Sequence, residues 1–151
     1  MIDAAYIGPP KTASTWLWQC FKQHPEISVA DIDSTHYFDI GHIFSDEIDH
    51  MRRFDEAETK TTVDMCQDYI RDSSVAKRLH QVNAEMKIIV GVRNPIDRAF
   101  SHYWHEKKKG YSREFEDVFE NYDAYENWIL PGMYYHNLIP FYELFGEGNI
   151  K

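Results

Sequence analysis

The chain has 151 residues and a mass of 17.9 kDa, long enough for one domain with a real core. Apolar residues at 43% and aromatics at 15% exclude a disordered segment. A net charge of −9 excludes a generally basic nucleic-acid binder, so any bound anion must be held by a few local cations against the global field. Lys11, Arg93, Arg98 and the run Lys107-Lys108-Lys109 are the candidates.

In chain order, "AAYIG" is a short apolar run ending in glycine and reads as a buried strand. From Ser14 to Gln23 the apolar positions Trp16, Leu17, Cys20 and Phe21 recur at helical spacing. Ser14 or a neighbour would cap that helix, and His24-Pro25 closes it. "TTVDMC" reads as a second strand, Ser73 to Asn83 as a helix, and "MKIIVGV" as the strongest strand signal. A helix starts near Pro95, a residue suited to a first turn, and runs to about Lys109. Weaker helical patterns cover Glu114 to Trp128 and Tyr134 to Phe145, and "GEGNIK" reads as a turn leading into a further strand. Continuously apolar strands alternating with helices predict an α/β fold, three layers with a central parallel sheet, over a single domain 1–151 lacking its C-terminal part.

Two turns carry the chemistry. Ligands of such sheets collect at the carboxyl ends of the strands, where both turns fall. In "IGPPKTASTW", Lys11 precedes Thr12, Ser14 and Thr15 at a helix start, which offers backbone N–H groups, hydroxyls, a dipole and one mobile cation to a phosphate or sulfate. The loop is not the common ATP loop, because Lys11 lies three residues after Gly8 and no glycine precedes it. In "VRNPIDRAFSHYWH", Arg93 leaves a strand end and can grip a second phosphate bidentately, and Ser101 lies two helical turns on. Arg98 and Tyr103 read equally as surface and packing residues.

"PKTASTW", Pro10 to Trp16, resembles the 5′-phosphosulfate loop P-K-[ST]-G-T-T-W of sulfotransferases that use 3′-phosphoadenosine 5′-phosphosulfate (PAPS). "VRNPIDRAFSHY" resembles their 3′-phosphate motif, R-[DN]-P-x-x-R-x-x-S-x-Y, at every named position. The resemblance implies a P-loop NTPase-like sulfotransferase fold and PAPS as co-substrate, with PAP as product and no metal required. Pro10, Lys11, Thr12, Ala13, Ser14, Thr15 and Trp16 would hold the 5′ side, and Arg93 and Ser101 the 3′-phosphate. One departure is Ala13 where the family has glycine; alanine is strained if that position needs positive φ. In the family a later loop closes over the adenine and 3′-phosphate, and nothing here corresponds to it.

On the acceptor side, "DIDSTHYFDI" resembles the E-x-H-F-F-D segment of glycosaminoglycan 3-O-sulfotransferases and their bacterial relatives, where the glutamate is the base. His36 and Asp39 match, but Ser34 stands where glutamate belongs, so the resemblance leaves His36 or the adjacent Asp33 as the base, with Asp39 assisting. "TTVDMCQDYI" resembles V-E-K-T-P-x-Y-F, with Met65 for its lysine and Gln67 for its proline. This implies altered acceptor handling, and the −9 charge would repel a polyanionic sugar. The expected partner is a small-molecule or carbohydrate acceptor, with no nucleic acid.

The remaining features read as ordinary. His102 and His105 are a solvated helix face rather than a metal pair, and "EKKKG" is a solvated helix end. The aromatics of "GMYYHNLIPFYELF" pack the last helix on the sheet, Tyr134 or Tyr135 being candidates to line the acceptor cleft. Cys20 and Cys66 lack C-x-x-C or metal-like spacing and read as buried reduced thiols. No run reaches the roughly 18 apolar residues of a membrane span and no signal peptide precedes the first strand, so a cytoplasmic location is expected. Two rival functions remain: a P-loop nucleotide kinase, and a catalytically inert or truncated sulfotransferase-like nucleotide binder.

Overall fold

A computed structural model describes residues 1–54 and 60–151. Its centre is β1 (Ala4–Tyr6), whose residues are all buried. Alternation sends Ala4 and Tyr6 to one face, with Val63 and Met65, and Ala5 and Ile7 to the other. The chain continues through α1 (Ser14–Gln23), β2 (Ile27–Val29), α2 (Glu47–Met51), β3 (Thr61–Met65), α3 (Ser73–Val82), β4 (Lys87–Ile89), α4 (Pro95–Lys108), α5 (Tyr122–Ala124) and α6 (Tyr134–Phe145).

The four strands are all parallel in the order β2-β3-β1-β4, with Ala4 opposite Val63 on one side and Lys87 on the other. Beyond β4, Ile150 makes a parallel bridge to Ile88, so the C-terminal turn does lead to the sheet edge. Leu17, Trp18 and Phe21 of α1 cover one face. Val75, Ala76 and Leu79 of α3, with Leu138, Phe141 and Phe145 of α6, cover the other. This is the expected three-layer α/β/α arrangement with a central parallel sheet.

Four details differ from the sequence reading. Trp16 is 68% exposed and Cys20 is exposed, so the inward, half-buried stripe of α1 is Leu17, Trp18 and Phe21, and only Cys66 is a buried thiol. The strand β2 and the short α2 were not legible, since each is only three to five residues long and carries polar positions. The helix expected over Glu114 to Trp128 is broken into a 3-10 turn at Phe115–Glu120, α5 and a wide π turn at Tyr125–Ile129. Asn121 breaks it: its backbone is extended and its side chain caps a new start by accepting from Ala124 N at 3.2 Å.

The turn after β1 is pinned to the turn after β3. Gly8 adopts φ +99, and a Cβ there would overlap the Gln67 carbonyl oxygen. Gly8→Ala therefore meets both a backbone penalty and a clash and is expected to lower stability by about 3 kcal/mol or more, read from urea unfolding.

Candidate active site

Because β1 and β4 are neighbours, the turns that leave their carboxyl ends lie side by side, and Gly91 N donates to Gly8 O at 3.1 Å. The approach is close enough that a Cβ on Gly91 would lie 2.6 Å from Thr12 Oγ1 and 2.7 Å from Tyr6 OH. Lys11 and Ala13 both take left-handed backbone, at φ 71 and 65. The position flagged in the sequence as glycine-like is therefore in the conformation that strains alanine.

Ala13 occupies the N-cap of α1 without a side-chain hydrogen bond. Ser14 was expected to cap; instead it is buried, and its hydroxyl donates to Gln67 Oε1 at 3.2 Å. The first N–H groups of α1 thus have no side-chain cap and stay available to an anion. Thr12 turns its hydroxyl inward, donating to Pro9 O at 2.6 Å and lying 2.7 Å from Tyr6 OH, so its hydroxyl braces the loop. Thr15 donates to Asp33 Oδ2 at 3.0 Å.

Arg93 is exposed, and its guanidinium donates to Lys11 O at 3.3 Å. Tyr134 holds this turn from behind, its OH donating to Arg93 O at 2.8 Å and accepting from Arg93 N at 3.2 Å. Tyr134 therefore serves the Arg93 turn, whereas Tyr135 is exposed. Ser101 is half-buried on α4, and Trp16 points outward.

A cleft of ≈ 470 Å³ opens beside the first loop, between it, the strap residue Asp33, the turn after β3 and α4; it is lined by Lys11, Thr15, Asp33, Asp68, Arg71 and His102, among others, and Arg93 and Ser101 lie outside its lining. Burial first, then the Lys109 ammonium, hold Lys11 below the ordinary lysine range. Asp68 and Arg71 belong to the turn after β3 and form an ion pair at 3.3 Å. Sequence reading missed them, although this is the third strand-to-helix turn on the same sheet edge. His102 also departs from its solvated-face reading: it is half-buried, its Nδ1 is buried without a partner among the described residues, and burial then Arg98 push it down to about 4. His105 is exposed, as expected.

Arg98 is the larger surprise. It is fully buried and its guanidinium donates to Pro10 O at 3.2 Å and to Trp128 O. The signal was its fixed place in the second motif, five residues after Arg93, but only the fold reveals that it faces inward.

The acceptor-side strap is fastened to β3. Thr35 N donates to Met65 O at 2.9 Å, and its hydroxyl donates to Asp64 Oδ1 at 2.8 Å. Tyr69 OH donates to Asp64 Oδ2 at 2.9 Å and accepts from Phe38 N at 3.0 Å. Complete burial pushes the Asp64 carboxyl up to about 6. His36, at φ 52, lies with Nδ1 2.8 Å from Asp39 Oδ2 and Nε2 3.3 Å from Ser34 Oγ. Asp33, rather than His36, lines the cleft that contains Lys11.

The fold so described is a parallel α/β sheet with two cation-bearing turns at adjacent strand ends. The model of the sulfotransferase domain matches residues 2–151, so the chain belongs to the sulfotransferase family. The fold also matches the crystal structure of a sulfotransferase from Alicyclobacillus acidocaldarius, with a TM-score of 0.87 at 21% identity, over 100% of this chain and 72% of that one. A comparison with curated proteins gave no match. Among the described residues, no helix is long and apolar enough to cross a membrane.

Two outcomes follow from the geometry. Arg98→Lys keeps the charge but loses the fork that reaches both carbonyls, so it should cost about 2 kcal/mol in urea unfolding. His50 is also pushed down to about 4, by burial and then Arg53. The unfolded chain takes a proton on each of His50 and His102 near 6.5 and the folded chain only near 4, so stability falls as pH drops from 6.5 to 4. Asp64, protonated up to about 6 when folded, opposes this between 6 and 3.8 with one proton against two. The expected net result is a falling Tm over that acid range, with a shallower fall in His102→Gln.

Proposed function

We propose that the protein transfers a sulfuryl group from PAPS to a hydroxyl, or an amine, of its acceptor. The observation that supports this reading is the Arg93 guanidinium 3.3 Å from the Lys11 carbonyl, which brings the two candidate anion-binding turns into contact. One molecule with phosphates at both ends of an adenosine can then engage both.

Lys11 contacts the oxygen bridging sulfur and phosphorus and stabilises charge growing there as the S–O bond breaks. The uncapped N–H groups at Ser14, Thr15 and Trp16, with Pro10, Thr12 and Ala13 shaping the loop, receive the 5′-phosphate. Arg93 and Ser101 receive the 3′-phosphate. The acceptor oxygen attacks sulfur in line, its proton passes to the base, and PAP departs. Lysine and helix-end N–H groups supply the positive charge, so the transfer requires no metal.

Of the two base candidates, Asp33 is preferred because it lines the cleft beside Lys11. His36 and Asp39 support the strap as a hydrogen-bonded pair at 2.8 Å. The acceptor is a small molecule or a carbohydrate, and a cytoplasmic site of action fits the reading.

Titration calorimetry with PAP and with ADP tests the donor. PAP should bind, more weakly in Arg93→Ala, and ADP with Mg²⁺ should bind poorly; the reverse preference would point to a kinase. In ³⁵S transfer from PAPS, Lys11→Ala should lower kcat by about 10²–10³-fold. Asp33→Asn should abolish turnover with PAP affinity retained, while His36→Asn should leave measurable turnover. PAP binding with no transfer to any acceptor would mark an inert relative.

A further inference from the structure

His36, Asp39 and Cys66 bring three different ligand atoms to one small space. His36 Nδ1 lies 2.8 Å from Asp39 Oδ2 and 3.5 Å from Cys66 Sγ, and Cys66 Sγ lies 3.9 Å from Asp39 Oδ2. His36 and Asp39 belong to the strap, whereas Cys66 directly follows β3, 30 residues after His36. No spacing in the sequence announces such a set, because the parallel sheet assembles it.

The arrangement is not that of a nucleophile relay. A relay histidine uses one ring nitrogen for the nucleophile and the other for the carboxylate. Here thiol and carboxylate both face Nδ1, while Nε2 lies 3.3 Å from Ser34 Oγ and 4.0 Å from Asp68 Oδ2. Three atoms converging on one point are the inner shell of an ion. Zinc with nitrogen, oxygen and sulfur ligands at roughly 2.0–2.3 Å sets tetrahedral ligand atoms about 3.3–3.7 Å apart. The three observed separations scatter around that range, and the His36–Asp39 edge has only to open by about 0.5 Å.

The outer shell is also in place. A metal-bound histidine donates its other N–H to a neighbour, and Ser34 and Asp68 stand at Nε2. Ser34 Oγ also donates to Cys66 Sγ at 3.3 Å, a contact that suits a thiolate. Ile40 N donates to Asp39 Oδ1 at 2.7 Å, and Cys66 N donates to Tyr6 O at 3.0 Å, so both ligands are held from behind. Cys66 is wholly buried, but the His36 side chain is 40% exposed, which leaves an approach and a fourth position for water. The mixed donor set selects zinc over magnesium or calcium, which take oxygen ligands.

We propose that His36 Nδ1, Asp39 Oδ2 and Cys66 Sγ bind one zinc ion, which fastens the strap 31–40 to the end of β3. On binding, the Cys66 thiol proton leaves to solvent, its thiolate bonds the metal, and the His36 N–H moves to Nε2. The ion holds the strap; no step of sulfuryl transfer runs through it, and the site does not rest on that reading.

Cobalt(II), added to the full chain after chelation, is the probe. It should give a thiolate-to-cobalt charge-transfer band and the strong visible bands of a four-coordinate ion, and zinc should displace it. Cys66→Ser should remove the charge-transfer band, whereas Cys20→Ser, at the exposed thiol, should keep it. Because Cys66 lies in the core, His36→Gln on the open side supplies an independent check. Its zinc affinity, from competition with a chromophoric chelator, should fall at least about tenfold. Zinc should raise the Tm of the parent chain and leave that of His36→Gln unchanged. A weak six-coordinate cobalt spectrum, a charge-transfer band that survives Cys66→Ser or vanishes in Cys20→Ser, or equal zinc affinity in His36→Gln overturns the site.

Discussion

Arg98 of α4 ties the first loop to the irregular segment after α5. Its guanidinium, removed from water in the first turns of α4, pairs with no carboxylate among the described residues; it is held by the Pro10 and Trp128 carbonyls. Burying a cation in this way is costly, and with Nε lacking a partner among the described residues the two carbonyls must stay where the fork can reach them. The consequence is a fixed distance between the first loop, α4 and the irregular segment after α5. The positions of Lys11 and Arg93 relative to one another follow from that bracing, together with Tyr134 behind the Arg93 turn.

The first loop is held in an energetically unfavourable shape. Lys11 and Ala13 both lie in left-handed backbone, a conformation that each non-glycine side chain disfavours by roughly 1–2 kcal/mol. The surrounding contacts keep it there: Thr12 is bonded to Pro9 and Tyr6, Ser14 to Gln67, and Gly8 packs against Gln67. Such strain exposes the first N–H groups of α1 without a competing side-chain cap. A loop so preorganised suits an anion that must be held tightly at one point, with no long phosphate chain to wrap.

The acceptor side is organised from beneath by Asp64. Its carboxyl, wholly buried, receives hydroxyl donors from Thr35 and Tyr69 and so clamps the strap 31–40 to the end of β3. Along that strap Asp33 accepts from Thr15 at the cleft wall and His36 is paired to Asp39. Met65, at the end of β3, is buried in the sheet face.

Local pattern was enough for the long elements and for both motifs. The bounds of α1 and α6 and the parallel sheet follow from periodicity and from residues whose roles depend on their immediate neighbours, whereas the adjacency of the turns after β1 and β4 comes from the strand order. The broken helix after Glu114 was hidden because Asn121 acts through its own backbone shape, which apolar spacing does not encode. The inward turn of Arg98, the burial of His102, the cleft-lining Asp68–Arg71 pair and the position of Asp33, rather than His36, on the cleft wall were decided only by tertiary structure. Each depends on contacts between segments distant in sequence, and side-chain direction there is set by what the fold packs against it rather than by the residues on either side.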